Sequence, residues 1–206
     1  MAVGKNIIRL LRYRMALLRM QDLGVDTTYS YNLGREIGVT PEQVRKDFSQ
    51  FGIKGKRKGG YNINELLFTI NGIFRKDELQ RVILVGLGNI GHAVLQYRGF
   101  SKIMIQVVAG FDIDPGKYKK KYSIPVYSID KLEEVIKEIG VHTAVLAVPI
   151  QAAQEISNRL VAAGIKGILC FAPIHLKIPP HVTINTICIS HELEFLIYKT
   201  LKKMEG

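Results

Sequence analysis

The chain has 206 residues, 47% of them hydrophobic, and a formal net charge of +11. This length suits one large domain or two small ones, and the positive charge favours an acidic partner such as nucleic acid. No signal-peptide pattern, bilayer-length apolar run or metal-ligand spacing of the two cysteines, Cys170 and Cys188, is present, so we expect a cytoplasmic protein with free thiols, no metal and no membrane span.

The first eighty residues have the spacing of a small helical module. Apolar residues at helical intervals predict helices over 5–23, 32–37, 41–50 and 62–74. Thr40, Pro41 and Gln43 predict the start of the third helix, because a Thr N-cap, a Pro at the first position and a Gln at the third satisfy or remove free N–H groups. Two helices, a glycine-containing turn and a short polar-faced helix are the order of a helix-turn-helix module.

A segment rich in glycine and cations follows the third helix. Residues 52–61 contain four glycines and four cations, a composition that suits a β-hairpin wing beside a phosphate backbone. The candidate DNA contacts of the helix and wing are Gln43, Arg45, Lys46, Ser49, Lys56, Arg57 and Lys58. Arg45 is the best candidate for guanine, whose O6 and N7 match the planar guanidinium. The alternative is a solvated charged surface with no partner.

A glycine-spaced turn opens the second part of the chain. An apolar run over 81–85 is followed by Gly86, Gly88 and Gly91, and then by a helical pattern, which is the fingerprint of a dinucleotide-binding βαβ unit. The first glycine allows the tight turn, the second lets the backbone approach a pyrophosphate, and the third lets helix and strand pack closely. The turn, including Leu87, Asn89 and Ile90, is therefore a candidate cofactor site.

Strands and helices alternate after residue 80, which predicts a parallel, doubly wound sheet. The predicted strands are 81–85, 103–111, 125–127, 143–148, 167–171 and 182–189. The predicted helices are 90–98, 115–121, 129–138 and 151–163, followed by a terminal amphipathic helix.

Two strand ends carry further candidate cofactor residues. Asp112 follows Gly86 by 26 residues, close to the offset of an acid that binds ribose hydroxyls, and an acid there favours NAD over NADP. Asp114 is the second candidate, and the alternative is that both aspartates only cap a turn. Residues 147–150, which include the candidates Val148 and Pro149, end the fourth strand, and the apolar Pro149 and Ile150 suit a nicotinamide or other flat ring. The alternative is that Pro149 only begins a helix.

These motifs together resemble the Rex family of redox-sensing transcriptional repressors over nearly the whole chain. The matching segments are 39–52 for the recognition helix, 55–57 and 60–61 for the wing, 86–91 and 111–112 for the NAD site, 161–169 and 171–173 for the later sheet, and 192–196 for the terminal helix.

The resemblance implies a winged-helix domain over 1–78, a Rossmann-like NAD(H)-binding domain over 79–188, and a swapped dimerisation helix over 189–206. It implies a homodimer that binds an inverted-repeat operator in double-stranded DNA and leaves it when NADH replaces NAD, without catalysis. It adds Tyr61 to the DNA contacts and identifies Tyr97 with the family's tyrosine in the cofactor-domain helix.

Three positions depart from the family pattern. Leu11 stands where the family usually has proline. Met15 and Cys188 stand where it has an arginine and an aspartate, which in the family form an ion pair across the dimer. The two binding sites are therefore expected, whereas the effect of NADH on DNA binding is expected to be weaker or to be transmitted through different contacts.

Two other functions are compatible with the sequence. The first is a DNA-binding paralogue that holds NAD, or another nucleotide such as a coenzyme A fragment, without a redox response. A small NAD-dependent dehydrogenase would need an acid–base residue, for which His175 is the candidate.

Overall fold

The computed structural model describes residues 2–56, 59–75, 78–118 and 122–204. The chain divides into two compact units, Met1–Glu78 and Leu79–Gly206. Within the described ranges no helix is both long and apolar enough to cross a membrane.

The N-terminal unit is a helical module with a two-stranded ribbon. Its helices are α1 (Ala2–Asp22), α2 (Ser30–Ile37), α3 (Pro41–Gln50) and α4 (Ile63–Ile73). Its strands are β1 (Thr27–Thr28) and β2 (Tyr61–Asn62), which pair antiparallel. The four predicted helices are confirmed, with α1 and α2 beginning two or three residues earlier than predicted. The sequence did not predict β1, because two residues are too few for a periodic pattern.

The core of this unit lies where α1, α3 and α4 meet. Tyr13, Leu17, Phe48 and Ile70 are almost fully buried, and the rings of Tyr13 and Phe48 pack edge to face with centroids 5.1 Å apart. Thr40 caps α3 as predicted, its side chain accepting a hydrogen bond from the Gln43 backbone N–H. The amphipathic spacing of these three helices therefore closes one shared core.

The predicted wing is described on both sides of its tip. The Lys56 N–H donates to the Gly60 carbonyl over 2.9 Å, which brings the two arms together. Gly60 has a φ of +70°, and a β-carbon there would press against the Thr28 carbonyl oxygen. A glycine is therefore required where the wing meets β1. Arg57 and Lys58 lie outside the described residues.

The second unit contains a six-stranded sheet in which every pair of neighbours is parallel. Its strands are β3 (Gln80–Val85), β4 (Ile105–Asp112), β5 (Val126–Ser128), β6 (Thr143–Leu146), β7 (Gly167–Cys170) and β8 (Thr183–Thr186). The helices are α5 (Asn89–Gln96), α6 (Pro115–Tyr118), α7 (Leu132–Ile139), α8 (Ile150–Ala162) and α9 (Ile189–Met204). The order β5-β4-β3-β6-β7-β8 is that of a Rossmann-like fold, so the predicted fold class is confirmed.

Some boundaries differ from the predicted ones. The strand predicted from residue 103 begins at Ile105, because Arg98–Ile103 forms a 3₁₀ helix that the apolar pattern did not reveal. The helix predicted from residue 129 begins as a 3₁₀ turn and becomes α-helical at Leu132. Of the helix predicted over 115–121, residues 115–118 are helical and 119–121 lie outside the described residues.

The sheet has a hydrophobic core on each face. The chain leaves β3 for β4 on one side and returns to β6 on the other, so the strand order reverses at β3. A crevice forms at the carboxyl ends of the strands at such a point. The glycine turn between β3 and α5 borders it.

Close backbone packing makes two glycines of this turn indispensable. Gly86 has a φ of +92°, and a β-carbon there would overlap the Ala147 carbonyl oxygen at the end of β6. A β-carbon at Gly91, inside α5, would overlap the Gly86 carbonyl oxygen. Around Gly88, by contrast, a β-carbon would meet no described atom within 4 Å.

Gly91→Ala is expected to destabilise the protein by about 2 kcal/mol or more, because two backbone segments must separate. The helix propensity of alanine would by itself favour the substitution by about 1 kcal/mol, so the sign of the change isolates the steric cost. Gly88→Ala, the matched control, is expected to change the free energy of unfolding by less than about 1 kcal/mol. Urea denaturation of both variants checks this, and equal stability of the two would contradict it.

Candidate functional sites

A cleft of about 850 Å³ lies at the carboxyl ends of β3, β4 and β6. Its walls are formed by the glycine turn, by the residues after β4, and by the start of α8. Of the predicted cofactor residues in the turn, Gly86, Gly88, Asn89 and Ile90 line it directly, and Gly91 does not. Leu87 is buried with 1% of its surface exposed, so its side chain belongs to the core and only its backbone faces the turn.

The glycine turn presents backbone N–H groups to this cleft. α5 begins at Asn89 with Gly88 as its N-cap, and no side chain in the described part of the chain caps this end. The first N–H groups of a helix have no partner inside the helix, and its dipole places partial positive charge there. The turn is therefore suited to hold a phosphate or pyrophosphate group.

Asp112 connects this turn to the end of β4. Its Oδ2 accepts a hydrogen bond of 2.6 Å from the Leu87 N–H, and its Oδ1 accepts one of 2.9 Å from the Asp114 N–H. Asp114 in turn accepts a hydrogen bond from the Gly116 N–H. Both carboxylates line the cleft while they hold its loops, so turn capping and ribose binding are compatible at these positions.

One wall of the cleft is apolar. Ile113, Val148, Pro149, Ala152 and Ile156 line it, and Ile113 keeps 82% of its surface exposed. The sequence predicted Val148 and Pro149 here. Pro149 also precedes the first turn of α8, so its helix-starting role and its place in the wall coexist. A surface of this kind suits the faces of flat, apolar rings.

The far end of the cleft carries an ion pair that the sequence did not reveal. Arg159 donates to both carboxylate oxygens of Glu133, over 2.6 and 2.8 Å, and to the Ile129 carbonyl. The hydrogen bonds from Arg159 hold the pKa of Glu133 below its ordinary value. The partners are 26 positions apart on α7 and α8, so only the fold brings them together.

Two predicted residues of this unit lie away from the cleft wall. Tyr97 follows α5 at its far end, where its ring packs against Phe100 with centroids 5.0 Å apart. His175 is exposed, and the described residues that line the cleft include no histidine. An acid–base role for His175 in this cleft therefore has no geometric support.

The outer face of α3 is basic and accessible. Arg45, Lys46 and Ser49 are exposed at helical spacing on one side. The Arg45 guanidinium donates to Ser30 over 2.9 Å and to Glu42 over 2.7 Å. Arg45 is about half exposed and Glu42 more so, and exposed pairs of this kind contribute little, so Arg45 can exchange Glu42 for another acceptor at little cost.

The wing adds a cation next to a partly buried tyrosine. Lys56 is exposed, with its Nζ 3.9 Å from a Glu65 carboxylate oxygen. Tyr61 packs its ring edge to face on Phe48 at 5.1 Å, and its burial raises the pKa of its hydroxyl. A β-carbon at Gly55 would lie 2.8 Å from the Tyr61 ring. Tyr61 therefore supports the backbone of the wing from inside.

Gln43, the remaining predicted DNA contact, is half-buried and its side chain bonds along its own helix. Its side-chain amide donates a hydrogen bond of 2.7 Å to Asp47, whose carboxylate is almost fully buried. Asp47 also accepts hydrogen bonds from Arg9 and Tyr13 of α1. Burial alone raises the pKa of Asp47, but the hydrogen bonds from Arg9, Gln43 and Tyr13 and the Arg9 charge together lower it below its ordinary value.

The sequence contained one sign of this arrangement. Asp47 follows Val44 by three positions and precedes Phe48, so a carboxylate lies beside the buried stripe of α3. A buried charge needs a partner of opposite charge or several hydrogen bonds. The partner is Arg9, 38 positions away in the sequence, and only the packing of the helices brings it to Asp47.

Comparisons with known proteins match both units. A family model described as CoA binding domain matches residues 77–174, and one described as putative DNA-binding protein N-terminus matches residues 5–49. The redox-sensing transcriptional repressor Rex of Streptococcus thermophilus (strain ATCC BAA-491 / LMD-9) is 36% identical over 193 residues, which cover 92% of this chain and 88% of that protein.

Solved structures of a Rex-family repressor, RSP, have a similar fold. RSP in complex with β-NAD+ and operator DNA is 32% identical, with a TM-score of 0.89 over 98% of this chain and 96% of RSP. RSP in complex with β-NADH has a TM-score of 0.85 at the same identity, over 97% of this chain and 94% of RSP. With its two units, its glycine turn and these relatives, the chain belongs to the Rex family of redox-sensing transcriptional repressors.

Proposed function

We propose that this chain is a DNA-binding repressor whose affinity for its operator depends on whether NAD or NADH occupies the cleft. The observation that carries this proposal is the joint presence, in one chain, of a helix with exposed Arg45 and Lys46 and of a cleft bordered by the glycine turn. RSP, which is 32% identical, has been solved with β-NAD+ and operator DNA and also with β-NADH. The protein would act in the cytoplasm, where its DNA partner lies.

The cleft residues support NAD(H) as the ligand. The pyrophosphate would lie on the free N–H groups at the start of α5. One ribose would lie near Asp112, whose negative charge would repel the 2′-phosphate of NADP. The apolar wall of Val148 and Pro149 would take a ring of the dinucleotide. Tyr97 lies outside this wall, so its place in the ligand site stays a prediction.

No catalysis is needed in this proposal. The ligand would act by binding more tightly to one of two states of the protein, and the equilibrium shifts only by that difference in affinity. The exposed position of His175, away from the cleft lining, supports a binding protein rather than a dehydrogenase.

Addition of NADH is expected to weaken operator binding at least tenfold, and addition of NAD is expected to leave it unchanged or stronger. The measurement is fluorescence anisotropy with an inverted-repeat duplex that the wild-type protein has selected from a random pool. Gly88→Ala is the control, because an added methyl group would obstruct the pyrophosphate without a clash in the free protein. This variant is expected to bind the duplex, and its affinity is expected to stay the same when NADH is added. An unchanged affinity of the wild type across the titration would refute redox control.

Arg45 is proposed to read a base, and Lys46 to contact a phosphate. Arg45→Ala is then expected to cost about 1–3 kcal/mol on the selected duplex and to relax specificity at one base pair. Lys46→Ala, next to it on the same face, is expected to weaken all duplexes similarly and to reduce the salt dependence of binding. Binding to single-base variants of the duplex distinguishes the two, and a uniform loss for Arg45→Ala would make it a phosphate contact.

Dimerisation is proposed to use α9. Every residue of this helix is exposed, including the apolar stripe of Ile189, Leu193, Ile197 and Leu201. A monomer rarely exposes so continuous an apolar surface. The outer face of α1 offers a complementary groove of about 490 Å³, lined among others by Ile8, Leu11, Met15 and Ile37. We infer that the α9 helix of a second copy packs in it, as the resemblance to the family implies.

Leu193→Asp is expected to shift the protein from dimer to monomer, because it places a charge in the apolar stripe. His191→Asp makes a similar change about half a turn away, on the other side of α9, and is expected to leave the dimer intact. Sedimentation equilibrium measures both. A dimer that survives Leu193→Asp, or is lost equally in His191→Asp, would exclude this face. Loss of the dimer should also weaken binding to an inverted repeat, since its two half-sites are read together.

A second candidate function is a paralogue that binds DNA and holds a nucleotide without a redox response. Met15 and Cys188 favour it, because neither carries a positive or negative charge with which to form the family's ion pair. Met15 is 42% exposed, and the nearest described partner of the Cys188 sulfur is the Ser190 hydroxyl at 3.2 Å. Tight binding of NAD and NADH with equal effects on DNA affinity would identify this function.

A further inference from the structure

Six polar side chains form a continuous network between α1 and α3. The contributors from α1 are Asn6, Arg9 and Tyr13, and those from α3 are Gln43, Asp47 and Gln50. Asp47 is its centre and accepts four hydrogen bonds. Two come from the Arg9 guanidinium at 2.6 and 2.7 Å, one from the Tyr13 hydroxyl at 3.0 Å and one from Gln43 at 2.7 Å.

The network extends from Asp47 toward the end of α3. The Asn6 side chain accepts a hydrogen bond from Arg9 and donates one to Gln50. Gln43, Asp47 and Gln50 follow one another at intervals of four and three residues, so they form one stripe along the whole length of α3. Asp47 and Gln50 therefore bind α3 directly to α1, and Gln43 joins the network through Asp47.

This stripe is next to the face that carries the proposed DNA contacts. Arg45, Lys46 and Ser49 are exposed on the outer side of α3, and Val44 and Phe48 are buried in the core. An apolar core by itself tolerates small rotations and shifts of a helix, because its contacts are not directional. Hydrogen bonds to a carboxylate have preferred geometry and lose energy when donors move.

Asp47 is costly to the fold unless all these contacts are made. Its side chain is 1% exposed, and that of Arg9 is 21% exposed. A buried ion pair often adds little net stability compared with apolar residues of similar size, whereas removal of one partner leaves an uncompensated charge. The presence of the Asp47–Arg9 pair is therefore better explained by the orientation that it imposes on α3 than by the stability that it adds.

We propose that Asp47 is a positioning residue for DNA recognition: bound to Arg9, it sets the rotation of α3 so that Arg45 and Ser49 face the base edges. Gln43 belongs to this network and supports the reading of bases through Asp47 rather than by a contact of its own. This inference rests on the proposed DNA-binding function of α3. It concerns the free protein and does not depend on the NADH response.

The test uses the full chain and two duplexes, the one selected by the wild type and a scrambled duplex of equal length and composition. The quantity measured is the ratio of the two affinities, at a temperature where circular dichroism shows each variant folded. Asp47→Asn is expected to lower this ratio at least tenfold. Its affinity for the scrambled duplex is expected to change less than threefold, because the phosphate-contacting lysines remain.

Rescue separates orientation from simple stability. Arg9→Gln with Asp47→Asn replaces the ion pair by two neutral groups that still hydrogen-bond, and it is expected to recover most of the lost ratio. Leu67→Ala removes core packing from α4, outside the network, and is expected to lower the melting temperature without lowering the ratio. Gln21→Ala breaks a hydrogen bond between α1 and Asn64 and is expected to leave the ratio unchanged.

Gln43→Ala provides a test that does not remove a buried charge. A loss spread over the bases read by Arg45 and Ser49 would support the proposal, whereas a loss confined to one base pair would make Gln43 a base contact. An unchanged ratio in Asp47→Asn, an equal fall in Leu67→Ala, or a double variant no better than Asp47→Asn would overturn the inference. If the wild type selects no duplex at all, the proposed DNA-binding function fails instead.

Discussion

The close approach of two backbone segments at the turn after β3 determines the geometry of the second unit. Gly91 lets α5 rest on the Gly86 carbonyl, and Gly86 lets the end of β3 approach the end of β6. Because no side chain separates them, the start of α5 lies at the reversal point of the sheet. The cleft, its free N–H groups and its apolar wall follow from this approach.

In each unit a carboxylate joins two elements next to a proposed binding surface. Asp112 connects the glycine turn to the end of β4 through backbone N–H groups, and Asp47 connects α3 to α1 through side chains. In both cases a directional hydrogen bond holds an element whose exposed groups are proposed to meet a ligand. The two ligands carry phosphates, so each unit combines a rigid acid inside with positive charge or free N–H groups outside.

The two ends of the chain differ in how completely they are packed. α1 has one face bound to α3 and α4, whereas its other face keeps Ile8, Leu11 and Met15 partly exposed. α9 is exposed over its whole length. Exposed apolar surface on both helices agrees with a protein that completes its core in a dimer. The uncharged Met15 and Cys188 leave this surface without the family's ion pair, so apolar contact would carry more of the interface.

Much of this protein was determined by short-range patterns in its sequence. Helical spacing, the Thr40 cap, the glycine turn and the alternation of strands and helices predicted both units, because each signal depends on residues within about ten positions of one another. Gly86, Gly88, Val148 and Pro149 were assigned to the candidate cofactor site in this way, whereas Asp112 was assigned by its offset of 26 residues from Gly86. All five line the cleft. The exposed position of Arg45, Lys46 and Ser49 on α3 followed from the same helical spacing.

Only the tertiary structure decided which distant side chains meet. Two ion pairs join separate helices: Arg9 with Asp47, and Arg159 with Glu133. The sequence contains many other residues of the same charge, so residue type alone did not identify these partners. The burial of Asp47, to which Gln43 is bound, and the position of Tyr97 away from the cleft depend on how each helix is rotated against its neighbours. Rotation is set by long-range packing, which a local pattern does not contain, and so the sequence determined the elements while the fold determined their partners.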